Sequence, residues 1–210
     1  MTKKNPNLET AYALQSPADN QALYADWSET YDEGFVKDMD YRLPMLVALV
    51  CAEHPQLASP VLDVGAGTGL LTQNIPMRGT LEIDGLDISS EMLEVAQSKG
   101  LYRHAIVADL TQSLEIADNT YGSVVSSGTF THGHVGPDAM DEILRIAKQG
   151  ALFVLAINAA HFVDRGFEAK FADLAPQIDN LQHQIVQIYG LGADEAHRED
   201  TARIVIFTKR

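Results

Sequence analysis

Val61-Leu62-Asp63-Val64-Gly65-Ala66-Gly67-Thr68-Gly69-Leu70-Leu71-Thr72 decides the fold. The first four residues read as a buried strand carrying one acid, the alternating glycines as a turn, and Leu70 as the opening of a helix. Glycines at three alternate positions predict a small molecule lying against the backbone of this crossing. A Cβ there would block that approach and resist the dihedrals of the turn.

Outward from this stretch, strands and helices alternate. Strands are expected at 61–64, 81–86 (closed by Asp87), 104–107, 123–127 and 151–157. A short helix ends near Pro76. Another is capped by Ser89 or Ser90 and closed after Lys99 by Gly100, and a third spans 138–148 with Gly150 behind it. The near-continuous apolar run at 151–157 suits a parallel sheet covered on both faces. The pattern predicts a doubly wound α/β sheet. In the tail, a helical stretch at about 162–174 precedes two alternating segments, 184–189 and 202–208. The polar loop 193–200 joins them, as in an antiparallel hairpin at the sheet edge.

Residues 1–22 are polar and read as partly disordered or as a loose helix. The segment Tyr24-Ala25-Asp26-Trp27-Ser28-Glu29-Thr30-Tyr31-Asp32 is unusually aromatic for its polarity. Pro44 suits the first turn of a helix reaching Cys51 or Glu53. Residues 1–55 are thus expected to form an N-terminal helical cap, and 56–210 the ligand-binding domain.

The chain of 210 residues carries 46% hydrophobic and 21% charged residues, ordinary for one globular unit. Its 29 acidic against 15 basic residues give a net charge of -14. Binding to phosphates needs clustered Lys and Arg, and none occurs, which argues against nucleic acid and anionic membrane as partners. A lone cysteine, Cys51, lies on an apolar helical stretch and reads as core, in a reducing compartment. No apolar region follows the lysines of 1–7, and the longest apolar run, 45–52, falls far short of the roughly 20 residues that span a bilayer. A cytoplasmic protein is expected; the oligomeric state is not legible.

Two nucleotide-type ligands compete for the glycine turn. A nicotinamide-binding turn reads G-x-G-x-x-G, whereas this one reads G-x-G-x-G. Asp63 would repel a pyrophosphate. A carboxylate suits an ammonium and a sulfonium instead, which points to S-adenosylmethionine. The alternative for Asp63 is a buried acid satisfied by backbone amides.

Residues 61–69 resemble motif I of the class I S-adenosylmethionine-dependent methyltransferases. The resemblance implies that Gly65, Ala66, Gly67, Thr68 and Gly69 form the cofactor loop, that Asp87 accepts both ribose hydroxyls, and that Ile88 and Met92 lie nearby. It sets Asp109 and Leu110 at the adenine and Ser127-Gly128-Thr129-Phe130 beside the methionyl group. Gln149-Gly150-Ala151 is close to the family's Pro-Gly-Gly. Tyr24-x-x-Trp27 with Tyr31-Asp32, then Tyr41-Arg42-x-Pro44 and Gly100-Leu101-Tyr102, are similar to the small methyltransferase encoded in the Williams-Beuren syndrome region. A Rossmann-like sheet of seven strands is implied, helices on both faces, the last strand antiparallel and inserted beside the fifth.

The residues around this frame keep two readings each. Tyr24 and Tyr31 belong either to a helix packed on the domain or to a lid whose rings face the sulfonium, Tyr24 then as a cofactor contact and Tyr31 as a catalytic candidate. Arg42 either reaches the methionyl carboxylate or lies on the surface. His132 and His134 leave the fourth strand at the ligand-binding edge; they serve as general base or orienting group, or are ordinary loop histidines. His-x-His without a third ligand does not make a zinc site, so no metal is expected. Methyl transfer to a small-molecule acceptor is the leading function. A noncatalytic S-adenosylmethionine-binding protein and a nicotinamide-dependent oxidoreductase are its rivals.

Overall fold

The computed structural model describes Thr10 and residues 17–76, 78–131 and 135–210. A seven-stranded sheet has the order β3-β2-β1-β4-β5-β7-β6. The strands are β1 (Val61–Val64), β2 (Ile83–Asp87), β3 (Ala105–Val107), β4 (Tyr121–Phe130), β5 (Ala147–Asn158), β6 (Ile178–Gln187) and β7 (Thr201–Lys209). The first five pair in parallel, while β7 is antiparallel to both β5 and β6. The chain order reverses between β1 and β4, and this switch point opens the crevice where ligands bind in such sheets.

Among the described residues seven α-helices accompany the sheet: α1 (Pro17–Trp27), α2 (Leu43–Glu53), α3 (Leu70–Asn74), α4 (Ser90–Ser98), α5 (Ala139–Ile146), α6 (Ala159–Asp164) and α7 (Phe167–Leu174). Strand alternation divides the interior in two. On β5, Phe153, Leu155 and Ile157 face α5 to α7, while Leu152, Val154 and Ala156 share the other core with α2 and α3. Pro44 lies in the first turn of α2, and Cys51 is fully buried on it, its thiol pushed up to about 12 chiefly by burial. Ser89 caps α4 by accepting from the Met92 N–H.

The boundaries differ from expectation in four places. β4 runs on to Phe130 across an irregularity between Ser126 and Phe130, where Gly128 takes φ +89°. α5 stops at Ile146, and Ala147 already pairs with Tyr121. The helical stretch near 162–174 is two helices, parted at Gly166 in the left-handed region. β6 begins at Ile178 rather than near 184. As an edge strand it exposes both faces, so its polar residues show no alternation. Among the described residues no helix is long and apolar enough to cross a membrane.

Candidate active site

One cavity lies at the carboxyl ends of β1, β2, β3 and β4 and runs under the aromatic segment that begins within α1. Its floor begins at the glycine turn, where the three glycines answer two different demands. At Gly65 a Cβ would sit 1.6 Å from the Thr129 Oγ1, and at Gly69 it would meet Leu101 at 2.3 Å. Those two positions are constrained by the protein's own packing. At Gly67, φ is +53° and a Cβ would meet nothing within 4 Å, since it faces the open cavity. That cradle is left for a ligand's approach. The turn is braced from β4, where the hydroxyls of Ser126 and Thr129 both donate to the Val64 carbonyl, at 2.7 and 2.8 Å.

Asp87, at the end of β2, lines the cavity. Its Oδ2 accepts from the Gly67 N–H at 2.8 Å and its Oδ1 from the Ser89 N–H at 2.9 Å. Burial pushes this carboxyl up, against the pull of the Ser89, Gly67 and Ile88 amides. Each oxygen keeps a lone pair for a ligand hydroxyl. Asp109 follows β3; its Oδ1 accepts from the Thr111 N–H and Oγ1, which leaves Oδ2 without a partner among the described residues. Ile88, Met92 and Leu110 supply apolar surface beside these acids, and Gly65, Ala66, Gly67, Thr68 and Ser127 complete this end.

Asp63 stands elsewhere. It is 1% exposed and does not line the cavity. The period of β1 turns it to the face beneath α3, where Oδ2 accepts from Thr72 Oγ1 at 2.9 Å and from the Tyr102 hydroxyl at 2.7 Å. Two side-chain hydroxyls satisfy it, and the Thr72 backbone N–H adds to them. Burial raises its carboxyl to about 6 in spite of these bonds, and the neighbouring Asp87 charge adds to the rise. Direct contact with a ligand ammonium, as the sequence suggested, is not available to it. Gly69 is likewise outside the lining and acts by packing.

The aromatic segment roofs the cavity. Tyr24, Trp27, Tyr31 and Phe35 line it, with Trp27 and Tyr31 edge-to-face at 5.2 Å and Tyr31 and Phe35 at 5.2 Å. Burial, then the neighbouring Tyr41, Tyr24, Asp32 and Asp87, push the Tyr31 phenol further up, so it stays protonated. A three-way tie fastens this roof to the glycine turn. Asp32 Oδ1 accepts from Thr68 Oγ1 at 2.6 Å, its Oδ2 pairs with Lys99 Nζ at 2.5 Å, and Lys99 also donates to the Thr68 carbonyl at 2.8 Å.

Arg42 does not reach the cavity. Asp40, two residues away, takes its guanidinium through two bonds, and the side chain is exposed. It is therefore a surface ion pair and no ligand for a carboxylate. His132 and His134 lie outside the described residues, between Thr131 and Val135, both of which line the cavity. Sequence reasoning passed over Asn158 and Tyr189. Asn158 carried a signal: it ends an apolar strand and opens a helix, as an N-cap does.

Comparison with known proteins gives a consistent picture. The family described as a methyltransferase domain matches residues 62–155. Human methyltransferase-like protein 27 is 32% identical over 153 residues, covering 70% of this chain and 61% of that protein. Demethylmenaquinone methyltransferase of Renibacterium salmoninarum is 34% identical over 96 residues, covering 46% of this chain and 40% of its own length. The chain thus spans less than two thirds of either curated relative. Among solved structures, an S-adenosylmethionine-dependent methyltransferase of Leishmania major has a TM-score of 0.68 at 14% identity, covering 98% of this chain and 87% of that one. That likeness concerns the fold.

Proposed function

From a chain that carries a class I S-adenosylmethionine-dependent methyltransferase domain, we propose a function: transfer of that cofactor's methyl group to a small-molecule acceptor enclosed under the aromatic roof. One observation carries the reading: a single cavity joins the Gly67 cradle and the Asp87 and Asp109 carboxylates to the rings of Tyr31, Phe35, Tyr41 and Tyr189. A roofed cavity suits a small acceptor better than a polymer. The Renibacterium relative, named for demethylmenaquinone methylation, supports the same size class. The net charge of -14 weighs against nucleic acid and anionic membrane. The lone Cys51 accords with a cytoplasmic, reducing compartment.

The residues present fit the cofactor. Asp87 has lone pairs for two ribose hydroxyls, Asp109 Oδ2 can take an exocyclic amine, and Gly67 leaves its backbone open. Among the described lining residues there is no Lys or Arg, so the methionyl carboxylate would rest on backbone N–H groups and hydroxyls.

S-Adenosylmethionine, when bound, supplies an electrophilic methyl carbon whose thioether leaves without protonation. The protein's work is alignment and exclusion of water. Asp87 and Asp109 hold the nucleoside, and Trp27, Tyr31 and Phe35 close the top. A protonated Tyr31 contributes ring surface and a hydrogen bond, not a base. A base is required only when the acceptor arrives protonated, and His132 and His134 are the candidates for it.

A thermal-shift series with S-adenosylmethionine, S-adenosylhomocysteine, NAD and NADP tests the reading. At a hundred times its dissociation constant, a ligand stabilises by about 2.7 kcal/mol. A rise with the two adenosyl sulfur ligands alone is expected. A rise with NAD or NADP alone would replace this reading by that of an oxidoreductase.

A further inference from the structure

Beyond the cofactor end the cavity changes character. Phe35, Tyr41 and Tyr189 form a corner of rings, with centroids 5.4 Å apart for Phe35–Tyr41, 5.7 Å for Tyr41–Tyr189 and 6.3 Å for Phe35–Tyr189. Such a corner offers faces and edges to a planar ring. The carboxylates in the described lining are Asp87 and Asp109, both at the nucleoside end, and no described lining residue is cationic. A charged acceptor would be desolvated here without a partner.

Asn158 adds an amide to the hydroxyls of Tyr41, Tyr189 and Thr131 in the described lining. It ends β5 and is 6% exposed. The period of the strand sets it on the face of Ala156, which shares a core with Ile188, Tyr189 and Leu43. Its Oδ1 accepts from the N–H groups of Ala160 and His161, at 3.0 and 3.1 Å, and so caps α6. Because both donors are backbone N–H groups, the oxygen must point to the helix, and the NH2 orientation is fixed. That NH2 finds no acceptor among the described residues, and Asn158 lines the cavity. A cap alone would be served equally by Asp or Ser. The NH2 is thus open to the cavity, where a ligand oxygen can accept from it.

We propose that the Asn158 amide binds the acceptor, and that the acceptor is an uncharged aromatic molecule whose ring-borne oxygen accepts a hydrogen bond from it. This rests on the methyltransferase reading for the word acceptor, but not for the binding itself.

The experiment is calorimetric titration of three probes sharing one ring: 2-naphthol, 2-naphthoate and 2-naphthylmethylammonium. Each is titrated into the protein alone and into its complex with S-adenosylhomocysteine, for the wild type and Asn158→Ser. Serine keeps the cap and replaces the NH2 by a hydroxyl one bond nearer the backbone, which withdraws the donor from the cavity. In the wild type, 2-naphthol should bind at least about tenfold more tightly than either ion. Asn158→Ser should weaken 2-naphthol about tenfold, with melting temperature and S-adenosylhomocysteine affinity unchanged. Equal or tighter binding of an ion, no binding of any probe, or an unaltered 2-naphthol affinity in Asn158→Ser overturns the proposal. Failure of S-adenosylhomocysteine to bind, with the probe preference intact, overturns the cofactor reading alone. Should Asn158→Ser lose its melting transition, Asn158→Asp, which also caps, replaces it; a switch of preference to the cation is then expected, and no switch counts against the proposal.

Discussion

Acids only a few positions apart on the same sheet are treated in opposite ways. Near its amino end, β2 carries Asp84, 3% exposed and ringed by partners. Arg103 grips it with two bonds of 3.0 and 2.8 Å, His104 Nδ1 lies 3.0 Å away, and the Tyr121 hydroxyl donates at 3.0 Å. Burial would raise this carboxyl, but Arg103, Tyr121 and His104 outweigh it and hold it below the ordinary range. Asp87, at the carboxyl end of β2, and Asp63, on β1 level with Gly85, are bonded only by hydroxyls and backbone amides, and both carboxyls are raised. The compensated acid holds the fold. The uncompensated ones leave negative potential beside the cavity, where a cationic ligand can complete it.

The largest effect should come from Asp87. If it makes two charge-assisted bonds to a ribose, each worth about 1.5–3 kcal/mol, Asp87→Ala lowers S-adenosylhomocysteine affinity at least about tenfold by calorimetry. An unchanged affinity would remove Asp87 from the site and break the contrast at its functional end.

Asp63 gives the sharpest sign. Its carboxyl titrates at about 6 in the folded state against an ordinary 3.8. Between those values the unfolded chain loses the proton first, so stability falls as pH rises through that window. Above it the ionised acid costs the folded state about 3 kcal/mol. Asp63→Asn can still accept from Thr72 and Tyr102. Denaturant titrations should therefore find it matching the wild type below pH 4 and up to about 3 kcal/mol more stable at pH 7. A variant less stable at pH 7 would show that the charge at Asp63 is compensated after all.

Asp84 should behave oppositely. Its lowered carboxyl contributes stability that is present above the ordinary range and lost as pH falls through the folded value. Asp84→Asn should cost about 1–3 kcal/mol at pH 7, because Arg103 and the buried Tyr121 hydroxyl lose their ionised acceptor. Cofactor affinity should stay within twofold of the wild type. A large loss of affinity would mean that the two ends of the sheet are not independent.

What was legible in the sequence follows from the range of the interaction. The glycine turn, the Ser89 cap and Pro44 in α2 are local devices, written in neighbouring residues. Asp87 and Asp109 could be placed because they end strands, and strand ends share one edge of a parallel sheet. Asp63 lies on a strand too, but which face it takes depends on α3 and Tyr102, 39 residues away. Arg42 misled because its partner, Asp40, lies in the turn before α2 with a left-handed φ of 47°, which nothing in the neighbouring residues announces. Edge strand β6 has no buried face to print an alternation.

The tie between roof and floor was equally hidden, since Asp32 lies 36 residues from Thr68 and 67 from Lys99. It is the weakest test of the contrast between compensated and open acids, because Asp32 is a paired acid at the open end. Lys99 and Asp32 are about a quarter exposed, at 26% and 28%. Salt and water therefore limit the pair to about 1 kcal/mol or less. Asp32→Ala should loosen the roof without emptying the site: S-adenosylhomocysteine dissociates up to about fivefold faster, while the melting temperature hardly moves. Trp27, the single tryptophan, lines the cavity and reports this directly in stopped-flow fluorescence. In the wild type, added salt should reproduce part of the acceleration by screening the pair. If dissociation is unchanged both in the variant and in salt, the roof is held by ring packing of Trp27, Tyr31 and Phe35 alone. The paired acid at this end would then be a surface contact with no part in retaining the ligand.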